Sequence, residues 1–194
     1  GYSGMFSITT EVSPAPVTSY NISLHEGWNL ISLPLIPTNS SIAAVTASIN
    51  ATVDIIWHYD AGTATWFWYS PGNPSSTLTT MEAGKGYWVY MDSADTLDIA
   101  GKELPDPPTL PPTYDVVAGW NLIGFKSTVS LHHSEYLFNL YSSGLPNYSV
   151  IWGYDASVPE YVNVFPLEQN SGNMEPGHGY WLWATTDGTI VPIS

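Results

Sequence analysis

Polar and apolar side chains alternate over residues 6–12, where Phe6, Ile8 and Val12 fall on one side and Ser7, Thr9 and Glu11 on the other. A period of two is the period of a β-strand. Ser13-Pro14-Ala15-Pro16 interrupts it, so residues 1–19 read as a strand-forming arm set apart from the rest of the chain. A strand with one apolar face needs a sheet: the edge of its own, or by strand addition that of a neighbouring molecule. Ile22-Ser23-Leu24 and Trp28–Leu33 flank Glu26-Gly27 and predict a hairpin or bulged strand pair, with Gly27 where φ turns positive. Over Ser41–Ile49 the period changes. Ile42, Val45 and Ile49 share one face of a short helix, which Asn39 or Ser40 is placed to cap. Residues 53–59 and 65–69 predict two strands joined by a turn at Ala61-Gly62.

The same order of elements then returns. Gly27-Trp28-Asn29-Leu30-Ile31 recurs as Gly119-Trp120-Asn121-Leu122-Ile123, an offset of 92. Ile55-Ile56-Trp57-His58-Tyr59-Asp60-Ala61 recurs as Val150-Ile151-Trp152-Gly153-Tyr154-Asp155-Ala156, an offset of 95. Met81–Tyr90 recurs as Met174–Trp183, an offset of 93, and in both copies a G-x-G turn leads into a strand, Tyr87–Met91 and Tyr180–Ala184. Ser134–Tyr141 stands where the second helix belongs. Three ordered landmarks at near-equal offsets mark a duplicated structural unit. The expected fold is therefore mainly β: two homologous small β-rich modules, sandwich- or barrel-like with one short helix each, at residues 20–101 and 114–194, plus the N-terminal strand arm. Residues 102–113 hold five prolines in twelve positions and predict an extended polyproline spacer holding the modules at a fixed separation.

Charge narrows the function. The 194 residues carry 17 acidic side chains against Lys85, Lys102 and Lys126, a net charge of −14 that repels phosphate and excludes nucleic acid as a partner. With no cysteine there is neither a disulfide framework nor thiol chemistry. No apolar run approaches the ~18 residues of a membrane span, so none is expected in this chain. The chain opens on Gly1, which reads as a removed leader or a fragment. Four N-x-[ST] sequons, at Asn21, Asn39, Asn50 and Asn147, fit an exported glycoprotein.

The succession of GWNLISLP, a short helix, a W-x-Y-D strand and G-x-GYW resembles a repeat module of secreted and cell-surface proteins of archaea and bacteria, over residues 20–101 and 114–194. The composition also resembles archaeal surface-layer or sheath components. The resemblance implies an extracellular, cell-surface location and carries over no catalytic residue.

Candidate chemistry is sparse. Trp28/Trp120, Trp57/Trp152 and Trp88/Trp181 recur within apolar runs and are expected to anchor the module cores, with sugar stacking as the other reading. Trp66 and Trp68 share one strand face opposite Phe67 and Tyr69, and are the expected contact or glycan surface. The repeated carboxylates Asp60/Asp155 and Glu82/Glu175 read as turn and cap residues, because a glycosidase needs one carboxylate pair and not a copy per module. His25, His58, His132, His133 and His178 make no metal-ligand spacing, so neither metal nor cofactor is expected, and no enzyme. The expected function is a structural protein that self-assembles by strand addition into a surface layer, sheath or filament, with itself as partner. The alternative is a carbohydrate-binding or adhesion module of a larger surface protein.

Overall fold

A computed structural model describes residues 16–106 and 109–192. The arm residues Phe6, Ile8 and Val12 lie outside the described residues. Strand β1 (Thr18–Leu24) leads through Glu26 into β2 (Gly27–Ser32), yet the two do not pair as the sequence pattern predicted. They belong to different sheets, and the reason is local. Gly27 takes φ +87°. The buried Asn29 accepts from His25 N–H at 2.9 Å and donates to the His25 and Gly27 carbonyls at 2.8 and 3.0 Å, fixing a corner instead of a hairpin. Asn121 repeats the arrangement with Val117 and Gly119.

The first module continues through β3 (Ile36–Pro37), α1 (Ile42–Val45), β4 (Val53–Asp60), β5 (Thr65–Tyr69), β6 (Gly86–Met91) and β7 (Asp95–Lys102). Two antiparallel sheets result, ordered β1-β7-β3 and β2-β6-β4-β5. Ile22, Leu24, Leu97 and Ile99 of one face Ile31, Ile56, Tyr87 and Val89 of the other, and Ile42, Val45 and Ile49 of the helical segment join this core. The N-cap of α1 is Ser41, with no side-chain cap bond, and not the expected Asn39 or Ser40. Asn39 Oδ1 accepts from Ser41 N–H at 3.0 Å in the turn that precedes the helix.

The second module runs through β8 (Tyr114–Val116), β9 (Gly119–Gly124), β10 (Leu131–His132), α2 (His133–Tyr136), β11 (Tyr141–Ser142), β12 (Leu145–Pro146), β13 (Tyr148–Asp155), β14 (Glu160–Phe165), β15 (Asn173–Met174), β16 (Gly179–Ala184) and β17 (Gly188–Ile190). Its four-stranded sheet, β14-β13-β16-β9, matches that of the first module strand for strand, and β17-β8 stands in place of the smaller sheet. A separate core gathers Ile123, Phe125, Tyr136, Leu140, Tyr148, Ile151, Tyr180 and Leu182. The fold is mainly β, and among the described residues no sheet closes on itself into a barrel. Among the described residues no helix is long and apolar enough to cross a membrane.

The modules touch directly and are not spaced apart by the proline segment. Ser32 N–H donates to Gly177 O at 2.9 Å, and the equivalent Gly124 N–H donates to Gly84 O at 2.8 Å. Bridges Ile31–His178 and Lys85–Ile123 flank these bonds and are again equivalents with the copies exchanged. The two modules are thus related by an approximate two-fold axis between the ends of β2 and β9. The approach is close: a Cβ on Gly86 would stand 2.7 Å from Ile123 O, and one on Gly179 2.6 Å from Ile31 O. This is why the second glycine of G-x-GYW recurs. Lys126 Nζ donates to Glu103 O and Thr128 Oγ1 to Glu103 Oε1, tying the proline segment to the second module.

Candidate functional site

Strand period decides what faces the axis. In β4 Ile56 and His58 point into the core, so Trp57 and Tyr59 point out; in β6 Tyr87 and Val89 point in, so Trp88 and Tyr90 point out. The recurrent tryptophans, expected as core anchors, belong to neither core. Trp28, Trp120 and Trp152 remain 36–40% exposed. The physical reason is strand alternation: the inward position beside each is already filled. Asn29 and Asn121 fill it next to Trp28 and Trp120, Ile56 and Ile151 next to Trp57 and Trp152, and Tyr87 and Tyr180 next to Trp88 and Trp181. The tyrosine hydroxyls accept from Glu82 N–H at 2.7 Å and Glu175 N–H at 2.6 Å.

The outward aromatics of the two sheets meet across the axis. Trp88 packs on Tyr154 and Tyr161 with ring centroids 5.0 and 6.2 Å apart. Trp181 packs on Tyr59 and Trp66 at 5.8 and 6.0 Å. Tyr161 is therefore the counterpart of Trp66, a match that sequence comparison missed because the residue type differs and only the pairings Tyr59–Trp66 and Tyr154–Tyr161 reveal it.

Two open clefts flank this contact. One, of about 600 Å³, is lined by Trp28, Trp57, Trp66, Trp88, Tyr154 and Tyr161. The other, of about 430 Å³, is lined by Tyr59, Trp66, Trp120, Trp152, Tyr161 and Trp181. Exchanging the copies turns the first set into the second, residue for residue. Trp66 and Tyr161 border both. Trp68, expected to share a contact surface with Trp66, borders neither and lies beyond Trp57 at 6.3 Å. Burial, then Tyr154, pushes the Tyr161 hydroxyl above its ordinary pKa, so it stays neutral and able to donate. The clefts offer flat apolar ring faces with indole N–H and phenol O–H groups at their edges, and no charged side chain lines them.

The other sequence candidates lie elsewhere. Asp60 Oδ1 accepts from Thr63 N–H at 3.0 Å and Asp155 Oδ1 from Ser157 N–H at 2.9 Å, both turn contacts. Glu82 is held below the usual carboxylate range chiefly by Lys85, at 2.9 Å. His58 Nδ1–H donates to Gly86 O at 2.9 Å inside the first module. Asn21, Asn39 and Asn50 are exposed and Asn147 is half-buried. His132, His133 and Glu168 come together on the core side of the second module, away from the clefts. No protein-family model, curated protein or solved structure matches this chain.

Proposed function

We propose that this chain is a non-catalytic recognition module displayed at the cell surface, whose paired clefts stack the rings of a neutral glycan. The observation that carries the reading is the duplication, residue for residue, of a cleft lined only by tryptophan and tyrosine. Exposed large aromatics in contiguous patches mark interaction sites, and tryptophan and tyrosine dominate binding hot spots. Pyranose rings present apolar C–H faces to such platforms and hydroxyls to the N–H and O–H groups at their edges. A net charge of −14 disfavours acidic polysaccharides, which leaves neutral sugars. The resemblance to surface repeat modules supports the location, as do the exposed sequons at Asn21, Asn39 and Asn50.

The test is a titration of neutral oligosaccharides followed by tryptophan fluorescence and calorimetry, on the parent and on Trp66→Ala. Saturable binding that Trp66→Ala weakens roughly 30-fold, the about 2 kcal/mol of an aromatic hot spot, supports the reading. A panel without a binder ends it.

One observation favours self-assembly as a second reading. Among the described residues β1 lies at the edge of its sheet, paired with β7 alone, and Thr18–Leu24 contains no lysine to guard that edge. Ordered polymers in light scattering and electron microscopy, lost on deleting residues 1–13, would support assembly; a monomer at every concentration would leave the binding module alone.

A further inference from the structure

The duplication supplies an internal control for every buried residue. At the start of the first helix Ile42 is 5% exposed and packs into the core. Its equivalent in the second module, by the bridges Ser41–Thr80 and His132–Asn173, is His133, 2% exposed. The fold at this corner therefore accepts an aliphatic side chain, and the histidine answers to something else. His133 Nδ1 lies 2.8 Å from the Tyr148 hydroxyl, which lies 3.1 Å from that of Tyr141. His133 Nε2 is buried and has no hydrogen-bond partner. A buried polar atom left unpaired is costly, and native proteins keep few of them.

The orphan nitrogen has company. The carboxylate of Glu168 is 3.9 Å away, too far for a hydrogen bond. The His132 ring stacks on the His133 ring with centroids 4.3 Å apart, and one ligand atom from each of the three residues lies within 4.8 Å of the others. Gly172 leaves the space in front of them clear: a Cβ there would stand 2.7 Å from His132 Nε2 and 3.2 Å from His133 Cδ2. Glu168 holds φ +48°, a backbone conformation that non-glycine residues adopt at a cost.

We infer that His132, His133 and Glu168 form a binding site for a first-row divalent cation of the zinc class, with His133 Nε2 as its buried ligand. Two imidazoles and one carboxylate are a zinc donor set with a coordination position open to water. Metal–ligand bonds of about 2.0–2.2 Å bring ligand atoms to roughly 3.3–3.6 Å of one another, so the set closes by an ångström or so, and the half-exposed Glu168 side chain is free to supply that movement. Coordination through Nε2 places the His133 proton on Nδ1, donating to Tyr148, which in turn donates to Tyr141; this is the orienting contact that metal-bound histidines make. Sequence spacing offers no sign of the site, since the two histidines are adjacent and Glu168 stands far along the chain.

The intact chain, freed of metal, is titrated with Zn²⁺ by calorimetry and with Co²⁺ by visible absorption. One equivalent should bind, with cobalt bands of a site of low coordination number. His133→Ile, which copies the first module, should abolish binding while leaving the melting temperature at or above that of the metal-free parent. Glu168→Gln should weaken binding at least tenfold, and it serves as the test should the isoleucine variant fail to fold. Absence of Zn²⁺ and Co²⁺ binding by the parent overturns the assignment. So does undiminished binding in His133→Ile, which would place the metal on surface carboxylates.

Discussion

Trp88 of the first module meets Tyr154 of the second with ring centroids 5.0 Å apart at 70°, and the contact recurs with the copies exchanged as Trp181 against Tyr59. The first pair is edge-on and the second tilted at 46°, and such aromatic pairs add about 0.5–1.5 kcal/mol each beyond the area they bury. The repeated sequence thus encodes two things together: each module's own core, and the face by which it meets its copy. Trp28 and Leu30 of GWNLI lie on that face, whereas Asn29 and Ile31 serve the module interior.

Closeness at the axis makes its glycines intolerant of a side chain. Gly86→Ala and Gly179→Ala should each lower stability by about 1–3 kcal/mol, because the new methyl meets a backbone carbonyl that cannot rotate away. Urea denaturation measures this. Wild-type stability in both variants would mean that the modules do not touch in solution.

Each cleft should be separable. Trp28→Ala alters only the larger cleft and Trp120→Ala only the smaller, so under the proposed glycan-binding reading each should halve the number of sugar sites, while Trp66→Ala affects both. Calorimetric stoichiometry distinguishes the three. If all behave alike, the two clefts work as one extended site.

The corner asparagines should matter for stability and not for binding. Asn29→Ala strips four hydrogen bonds, one of them a long contact to Val89 O, and Asn121→Ala three, and each should cost about 1–3 kcal/mol. Having no partner in common, their effects should add in the double variant to within about 0.5 kcal/mol. A large departure from additivity would show that the corners communicate through the axis.

Stability should fall on mild acidification. Burial lowers the His58 pKa from its ordinary 6.5. Below that value the unfolded chain therefore binds a proton that the folded chain refuses, and stability is lost as pH falls from about 7 through the unfolded pKa toward the folded one. Melting temperatures in metal-free buffer between pH 7.5 and 5 follow the effect. His58→Gln should flatten part of the slope, and an unchanged slope would assign it to other groups.

Period is what the sequence discloses, and period is a local property. It located Ile42, Val45 and Ile49 on one buried face and separated Trp66 from Phe67 across a strand. It could not say which face of a strand a second module would cover, so the tryptophans of the outer face read as core. Nor could it see that Gly27 opens a corner between sheets, because a glycine beside alternating strands looks the same in a hairpin. The cluster of His132, His133 and Glu168 arises only when the loop before β15 folds back over α2, and no spacing rule anticipates that.

The approximate two-fold axis has a consequence for the proline segment. A face that matches its own copy is the face of a symmetric dimer, and such a pair held by two separate chains dissolves on dilution. Covalent joining through residues 102–113 replaces that bimolecular equilibrium by a local concentration in the millimolar range. The paired clefts then persist however dilute the protein becomes.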